Sequence, residues 1–406
     1  MIKEIIDKKR LGEDLSKEEL SEIFNGYLNG KVKDYQMSSL LMAICLEGMN
    51  YDEIVNLTDI FLKSGEQLHY EDEFGTMCDK HSTGGIGDKT TLVIVPIVAS
   101  LGIPVIKMSG KGLGYTGGTI DKLESIPGYR TDLTDKEIEE GIKKVGAVMT
   151  GQTKDIAPMD KMIYALRDAT ATVSSIPLIA VSIMSKKLAL GASKILLDVK
   201  YGSGALVGTK EEAEELAILM KKIGESYGRE VRYILSDMNV PLGRNIGNSL
   251  EVVEALNVLS GKEEGKFKDL CIELASNMIS MVKKINVEDA KKLAEDAITS
   301  GKALNKFYEI VKNQGGDITK LSVSANRYEY KSDREGTIEN IDALGIGKLS
   351  LSLGAGRESK EDKIDYTVGI VLNKLVGDKV NVGDTLMTLY IHNNNFKIDS
   401  NIFEIQ

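Results

Sequence analysis

Two glycine-rich stretches combine a flexible backbone with lysine, serine and threonine side chains. The first is KHSTGGIGDK at 80–89, and the second is KMSGKGLGYTGGTIDKLE at 107–124. Glycine residues let successive backbone N–H groups converge on one anion, and hydroxyl and ammonium groups donate to its oxygen atoms. The candidate donors are Lys80, Ser82, Thr91, Lys107, Ser109, Lys111, Thr116 and Thr119. We therefore predict that the two loops enclose one phosphate group from two sides.

Neither loop has the signature of a nucleotide-binding enzyme. The P-loop pattern GxxxxGK[ST] does not occur, and GKGLGYTGG has no acidic ribose-binding residue at the end of the next strand. Inorganic phosphate, or the terminal phosphate of a small molecule, therefore fits the loops better than NAD or a nucleoside triphosphate. The alternative is that each loop is only a tight turn.

A third group of polar side chains follows in two segments with a helical pattern. On the first segment Asp160, Tyr164 and Arg167 share one face, because they lie at positions i, i+4 and i+7. On the second segment Ser182 and Lys186 have the spacing i and i+4. These side chains can point into one cleft. The alternative is a solvated helix face that carries an Arg–Asp ion pair.

Composition and charge favour a globular protein of more than one domain. The chain has 406 residues, of which 42% are hydrophobic and 28% are charged, so it can bury a substantial core. Its net charge of -10 argues against nucleic acid or an acidic membrane as the main partner. Three cysteines without CxxC spacing fit neither a disulfide framework nor a zinc site. The N-terminal segment has no apolar signal core, so we expect a cytoplasmic protein.

Three zones of different pattern predict an α/β fold with an all-helical domain and a β-rich C-terminal part. The first zone, up to residue 65, has helical periodicity throughout, with Asp34 and Asn50 placed to cap two helices. In 78–315, short apolar runs alternate with amphipathic segments, which predicts a parallel α/β sheet. Beyond 321, apolar alternation with glycine turns is typical of strands.

Several longer motifs together resemble the pyrimidine nucleoside phosphorylase and thymidine phosphorylase family. They are KHSTGGIGDKTTL, KMSGKGLGYTGGTIDKLESIPG, GQTKDIAPMDKMIYALRDATATVSSIPLIAVSIMSKKLALGA, LDVKYGSGA and LGAGRESKEDKIDYTVGIVL. The resemblance covers essentially the whole chain and implies the nucleoside phosphorylase family II architecture. The implied domains are a helical domain for dimerisation and base binding at 1–65 plus 158–190, an α/β phosphate-binding domain at 66–157 plus 191–330, and a β-rich domain at 331–406.

The activity implied by the resemblance is reversible phosphorolysis of uridine, thymidine and deoxyuridine in nucleoside salvage. Inorganic phosphate is the co-substrate, the products are the free base and a (deoxy)ribose 1-phosphate, and no organic cofactor is expected. A homodimer joined through the helical domains is also implied. By position, the resemblance assigns phosphate contacts to Lys80, Ser82, Thr91, Lys107, Ser109 and Thr119, base contacts to Tyr164, Arg167, Ser182 and Lys186, and catalytic roles to His81, Arg167 and Lys186.

Hydrogen-bond chemistry makes the implied base contacts sensible. Uracil and thymine present two carbonyl acceptors with an N–H between them, so Arg167 and Lys186 can donate to the carbonyls while Ser182 accepts from N3–H. Cytosine replaces one carbonyl by an amine, and a site built for hydrogen bonds can reject such a mismatch by roughly 10⁴ or more. We therefore expect uridine-type substrates and no cleavage of cytidine.

Four positions vary relative to the family pattern. Lys111 and Tyr115 stand where most relatives carry arginine and histidine, and lysine cannot reproduce a bidentate arginine fork. Lys107 resembles the dual-specificity enzymes and favours acceptance of both ribose and 2′-deoxyribose. Lys89 replaces a threonine that helps to bind a potassium ion in some bacterial relatives. The implied potassium ligands are Gly87, Lys89, Leu242, Asn245 and Glu254, although the charge of Lys89 can instead replace the ion.

Three other functions stay open at the level of sequence. A strict thymidine phosphorylase would cleave thymidine alone. Anthranilate-type phosphoribosyltransferases share a helical-plus-α/β layout and a glycine-rich phosphate loop, but they require Mg²⁺. A non-catalytic nucleoside-binding protein, suggested by Lys111 and Tyr115, would bind without turnover.

Overall fold

The computed structural model describes residues 2–112, 115, 117–153, 155–357, 359 and 362–406. The helices are α1 (Ile2–Arg10), α2 (Lys17–Leu28), α3 (Asp34–Glu47), α4 (Tyr51–Leu62), α5 (Glu71–Phe74), α6 (Thr90–Ser100), α7 (Thr119–Glu124), α8 (Asp135–Val145), α9 (Pro158–Ala169), α10 (Ile176–Ala189), α11 (Lys210–Ser226), α12 (Asn248–Leu259), α13 (Lys266–Lys283), α14 (Val287–Thr299), α15 (Lys302–Asn313) and α16 (Ala343–Ser352). The strands are β1 (Cys78–Ser82), β2 (Val105–Ser109), β3 (Ala147–Gly151), β4 (Lys194–Tyr201), β5 (Glu230–Asp237), β6 (Asn245–Ile246), β7 (Asn326–Lys331), β8 (Gly336–Ile341), β9 (Gly369–Leu372), β10 (Lys379–Val380), β11 (Thr385–Ile391) and β12 (Phe403–Ile405). Among the described helices, none has the length and apolar character needed to cross a membrane.

The chain forms two compact units. Unit 1 comprises Met1–Gly75, Thr153–Leu197 and Glu211–Tyr233, and unit 2 comprises Thr76–Gln152, Asp198–Lys210 and Ile234–Gln406. The structure thus has the expected fold class, with a helical part, an α/β part and β-rich C-terminal strands.

Unit 1 is a helical bundle in which α4 packs against α2 and α10, and α1 packs against α3. Asn50 caps α4 as predicted, since its side chain accepts a hydrogen bond from the backbone N–H of Glu53. The predicted cap at Asp34 is wrong. Lys33 is the N-cap of α3, and the carboxylate of Asp34 instead accepts a hydrogen bond from the hydroxyl of Tyr27, on the preceding helix, at 3.0 Å.

Unit 2 contains the α/β layers. Strands β2 and β3 pair in parallel, as the sequence predicted for this zone, and β1 forms a three-stranded sheet in the order β1-β4-β5. Helix α6 is apolar over nearly all of its length and packs against α12, α13, α14 and α15. This helix starts directly after the first glycine-rich loop, so the buried core fixes where that loop ends.

The C-terminal strands of unit 2 form two further sheets. Strands β6, β9, β11 and β7 make a four-stranded antiparallel sheet, and β10, β8 and β12 make a three-stranded antiparallel sheet. Their apolar side chains share one core, which includes Ile338, Ile370 and Leu389 and also takes in Ile86 from the first glycine-rich loop. The β-rich part is therefore packed against that loop.

Candidate functional site

The first glycine-rich loop turns back on itself between β1 and α6. Gly84 and Gly87 have φ values of +83° and +78°, which glycine adopts at little cost. A Cβ atom at Gly87 would lie 2.7 Å from the carbonyl oxygen of Leu242. The turn brings Asp88 to Ser82, whose hydroxyl donates to Asp88 Oδ2 at 2.5 Å. The conformation of this loop is therefore held by a carboxylate within it.

Lys80 lies in a cluster of buried charges. Its Nζ is 2.9 Å from Asp198 Oδ2 and donates to the hydroxyl of Thr90 at 2.8 Å. Asp198 also pairs with Lys200 at 3.1 Å and accepts a hydrogen bond from Ser236 at 2.6 Å. The side chains of Lys80, Asp198 and Lys200 are at most 1% exposed. Lys80 thus makes one hydrogen bond, to Thr90, and one close ion pair, with Asp198.

The two carboxylates near Lys80 are ionised at neutral pH. Burial acts to raise the pKa of Asp198, but the ammonium groups of Lys200 and Lys80 outweigh it and hold that pKa below its usual value. The same balance of burial against Lys200 and Lys80 lowers the pKa of Asp88. Burial acts to lower the pKa of Lys200, but Asp198 and Asp88 outweigh it and raise that pKa. Lys80 is therefore a positioned donor in a charge-balanced cluster.

The second glycine-rich loop is closed by Asp121 and Arg357. Asp121 Oδ2 accepts hydrogen bonds from the backbone N–H groups of Gly112 and Gly118, at 2.7 and 2.8 Å. Arg357 pairs with Asp121 Oδ1 at 2.7 Å and donates to the carbonyl of Gly112 at 3.1 Å. A Cβ atom at Gly118 would lie 2.6 Å from the carbonyl oxygen of Gly110. The two ends of the loop are thus clamped together.

Lys122 joins the two loops. Its Nζ donates to the carbonyl of Asp88 in the first loop at 2.8 Å and to the carbonyl of Gly117 in the second at 3.0 Å. The same ammonium pairs with Glu251 Oε2 at 3.1 Å. The structure therefore brings the two predicted loops together within unit 2.

The remaining predicted phosphate contacts lie on the elements next to these loops. Ser109 is the last residue of β2, and Thr119 is the first of α7; both are half-buried. Thr91 lies buried in the first turn of α6. Lys107 is buried in β2, and its Nζ donates to the carbonyl of Met108 at 3.0 Å. The predicted donor Thr116 lies outside the described residues.

Three further residues singled out in the sequence have different surroundings. His81 lies half-buried in β1, between Lys80 and Ser82. Lys111 pairs with Glu124 at 2.8 Å on an exposed part of the second loop. Tyr115 is 41% exposed.

Arg167 is buried in unit 1, on α9. Its guanidinium donates to the carbonyls of Thr172 at 3.1 Å, Val173 at 2.7 Å and Leu178 at 3.1 Å. Burial lowers the pKa of Arg167 although Asp160 acts to raise it. Because guanidinium carries five N–H donors, these three bonds hold the group in place and leave two donors outside them.

Lys186 and Ser182 form a hydrogen-bonded chain with Asp160. The ammonium of Lys186 pairs with Asp160 Oδ2 at 2.6 Å and donates to the hydroxyl of Ser182 at 3.1 Å. The sequence alternative paired Asp160 with an arginine, but the described hydrogen bonds of Asp160 lead to Lys186. Tyr164 lies one turn before Arg167 and is 43% exposed, with its ring centroid 6.0 Å from the guanidinium carbon. Unit 1 thus holds the four predicted base contacts on two consecutive helices.

The predicted potassium ligands converge on the side chain of Lys89. Its Nζ lies 2.6 Å from Glu254 Oε2 and donates to the carbonyls of Leu242 at 2.5 Å and Asn245 at 3.1 Å. Gly87 lies against the same segment, because a Cβ atom there would meet the carbonyl of Leu242.

Sequence reasoning missed the residues that hold these groups in position, namely Asp88, Asp198, Lys200, Asp121, Lys122, Glu251 and Arg357. One signal was present for Asp198 and Lys200. They are two residues apart and follow the apolar run at 195–197 in a largely buried strand, so they share one face of the sheet. Charged side chains inside a buried sheet need oppositely charged or hydrogen-bonding partners, so this spacing indicated a buried charge cluster.

Comparison with known proteins gives matches along nearly the whole chain. Residues 3–65 match the helical bundle domain of a glycosyl transferase family, 75–304 match its a/b domain, and 337–401 match the pyrimidine nucleoside phosphorylase C-terminal domain. The pyrimidine-nucleoside phosphorylase of Staphylococcus haemolyticus (strain JCSC1435) is 48% identical over 403 residues, which cover 98% of this chain and 93% of the relative. That of Staphylococcus epidermidis (strain ATCC 35984) is 47% identical over 409 residues, covering 99% and 94%.

A solved structure is similar at the level of the fold. The anthranilate phosphoribosyltransferase of Thermus thermophilus superposes with a TM-score of 0.60 and 19% identity, over 76% of this chain and 99% of that one. Likeness at this identity concerns architecture alone. With the near full-length matches at 47 and 48% identity, the chain belongs to the pyrimidine nucleoside phosphorylase family.

Proposed function

We propose that this protein catalyses the reversible phosphorolysis of pyrimidine nucleosides, with uridine, thymidine and deoxyuridine as substrates. The observation that carries the proposal is the likeness over 98% of the chain to a relative named pyrimidine-nucleoside phosphorylase. The proposed products are the free base and a ribose or deoxyribose 1-phosphate. We assign the protein to nucleoside salvage in the cytoplasm and to the reaction class EC 2.4.2.2.

The geometry of unit 2 supports a phosphate site. Lys122 donates to the carbonyls of Asp88 and Gly117 and so links the two loops, which supports assigning both loops to one site. An N–H donor of Lys80 that is not used by Thr90 is assigned to a phosphate oxygen. Thr91, Ser109 and Thr119 supply the proposed hydroxyl donors, whereas the hydroxyl proton of Ser82 is already donated to Asp88. The buried carboxylates balance the lysine charges, so phosphate recognition depends on oriented hydrogen bonds more than on net positive charge.

The geometry of unit 1 supports a base site. Lys186 has three N–H donors, of which two are used by Asp160 and Ser182, and the third is assigned to a base carbonyl. The hydroxyl oxygen of Ser182 accepts from Lys186 and can also accept from N3–H of uracil or thymine. Arg167 contributes its two further N–H donors. Tyr164 lies one turn before Arg167 on α9 and is assigned to packing on the nucleoside.

The proposed mechanism needs no covalent intermediate with the protein. The bond between the sugar and the base breaks as positive charge develops on the sugar and negative charge on the base. Arg167 and Lys186 stabilise the departing base, and phosphate attacks the opposite face of the anomeric carbon, which is inverted. His81 is assigned a hydrogen bond to the nucleoside. Preorganised donors of this kind each lower the barrier by about 3 to 4 kcal/mol.

The test is chromatographic release of uracil and thymine from uridine and thymidine, with and without inorganic phosphate and without Mg²⁺. We expect phosphate-dependent release from both nucleosides and none from cytidine. Release from thymidine alone would identify a strict thymidine phosphorylase. A requirement for Mg²⁺ would favour a phosphoribosyltransferase, and binding without release would indicate a nucleoside-binding protein.

A matched pair of variants tests the assignment of Lys186. We expect Lys186→Met to reduce turnover about a hundredfold or more, because one preorganised donor to the base is lost. Lys161→Met is the control, since Lys161 is exposed on α9 and makes no contact in the proposed site. Near-normal turnover of Lys186→Met, with Lys161→Met also normal, would remove Lys186 from the mechanism.

A further inference from the structure

Lys89 lies in a closed cage of oxygen atoms within unit 2. It precedes α6, and its side chain is 0% exposed. Its Nζ donates hydrogen bonds to the carbonyls of Leu242 and Asn245 and forms an ion pair with the carboxylate of Glu254. Nζ also lies 4.7 Å from the ring centroid of Phe267, within the range of a cation–π contact. The ammonium is therefore enclosed by three protein oxygens within 3.1 Å.

The cage is fixed by the segment that leads into β6. Glu254, on α12, accepts the backbone N–H groups of Arg244 and Asn245 at 2.7 and 2.9 Å, which holds its carboxylate beside Lys89. Gly243 has a φ of +76°, and a Cβ atom there would lie 2.7 Å from Lys89 Nζ. The site thus needs glycine at this position both for its backbone conformation and to leave room for the ammonium.

The oxygen atoms of the cage are chemically those of a cation site. Two backbone carbonyls and a carboxylate are ligands that hard cations take from proteins. An ammonium group resembles a potassium ion in size and charge, but it is linked to the chain and makes directional hydrogen bonds. The residues present do not fit a potassium ion, because Nζ of Lys89 already lies within hydrogen-bond distance of these three oxygens.

We propose that the ammonium of Lys89 is the built-in cation of this site and that the folded protein needs no potassium ion. The carboxylate of Glu254 is buried, so it requires a positive partner in every folded molecule. A lysine supplies that charge at any salt composition, whereas a bound ion would leave the carboxylate unpaired whenever its concentration fell. The stability of unit 2 is thereby independent of the monovalent cation in solution.

The first experiment measures thermal unfolding of the wild-type protein after dialysis into choline chloride, followed by titration with KCl or NaCl at constant ionic strength. We expect the same Tm in all three salts. A saturable increase in Tm with KCl over choline chloride would overturn the proposal. This readout does not involve catalysis, so its outcome is separate from that of the phosphorolysis assay.

The second experiment removes the ammonium of Lys89 by substitution. Lys89→Thr removes the ammonium but keeps a hydroxyl oxygen, so we expect a Tm several degrees lower in choline chloride and a saturable recovery with KCl. Lys89→Met is the matched control, because it removes the charge and supplies no ligand oxygen; its Tm should fall and stay low in KCl. If Lys89→Thr is as stable as wild type in choline chloride, the proposed role of the ammonium is wrong. Should neither variant fold, the comparison of salts on the wild-type protein decides.

Discussion

Buried lysines in unit 2 share one arrangement. Lys80, Lys89 and Lys122 each pair with a buried carboxylate, at 2.9, 2.6 and 3.1 Å respectively. Removing one member of such a pair leaves an uncompensated buried charge, which is far more costly than losing an exposed ion pair. Each lysine is consequently held in one position, and the carboxylates that hold them are as important to the site as the lysines.

The pH dependence of stability tests the cluster around Lys80. The lowered pKa of Asp198 contributes stability above its unfolded pKa of about 3.9, and this is lost as pH falls towards the folded pKa. We expect Asp198→Asn to be less stable than wild type at pH 7 and to lose less stability between about pH 5 and pH 3. Urea unfolding followed by circular dichroism at several pH values measures both effects.

The control for that experiment is Asp269→Asn, which alters an exposed carboxylate on α13. Its pH profile should follow that of the wild-type protein. Parallel profiles for wild type and Asp198→Asn would mean that the ionised form of Asp198 does not stabilise the fold.

At the scale of elements, the second glycine-rich loop depends on a distant part of the chain. Arg357, which bonds to the carbonyl of Gly112, is 245 residues away from it in sequence. Its side chain is 11% exposed, and its partner Asp121 is fully buried. The loop therefore has its closed form because the β-rich part of unit 2 supplies an arginine.

Substitution of Arg357 should weaken the binding of phosphate more than the binding of the nucleoside. With Arg357→Gln the fork to Asp121 and Gly112 is lost, so we expect the KM for phosphate to rise about tenfold while the KM for uridine changes little. Arg357→Lys should recover only part of the effect, because lysine cannot form the bidentate contact. Steady-state kinetics with each substrate varied in turn measures the difference.

An exposed arginine of the same unit provides the control. Arg334 pairs only with its neighbour Asp333 among the described ion pairs, and it is 63% exposed, so Arg334→Gln should leave both KM values unchanged. Equal changes in the two KM values for Arg357→Gln would assign Arg357 a general structural role instead.

The sequence predicted helix starts well where hydrogen bonds between residues close together in the chain set them. Asn50 forms a capping box with the glutamate three residues later, a pattern visible in the sequence itself. Asp34 has a capping residue type too, but Tyr27 competes for its carboxylate, and that contact depends on helix packing. The bonds from Lys186 to Asp160 and from Lys122 to both loops likewise join segments that only the folded chain brings together. Residue types were therefore predictable from sequence, whereas most of their partners were not.

At the scale of the whole molecule, the proposed chemistry is divided between the two units. The groups assigned to phosphate belong to unit 2, and those assigned to the base belong to unit 1. Catalysis under the proposed function requires both sets of groups.

An exposed apolar face on α3 favours the homodimer expected from sequence. Tyr35, Met42 and Leu46 lie on one side of the helix and are 72%, 39% and 75% exposed. Large exposed apolar side chains that share a face are typical of protein interfaces. We therefore predict that the protein sediments with twice the chain mass of 44.3 kDa and that unit 1 supplies the contact.

Paired substitutions on this face test the prediction by sedimentation velocity. Tyr35→Glu combined with Leu46→Glu places two charges where the second copy would bury apolar surface, so the variant should sediment as a monomer with unchanged circular dichroism. Val382→Glu is the matched control, because Val382 is 68% exposed in unit 2 and should leave the dimer intact. A wild-type protein that sediments at the mass of one chain would exclude the homodimer. A doubly charged variant that stays dimeric would place the interface on another surface, and the remaining exposed faces of unit 1 would then be substituted in the same way.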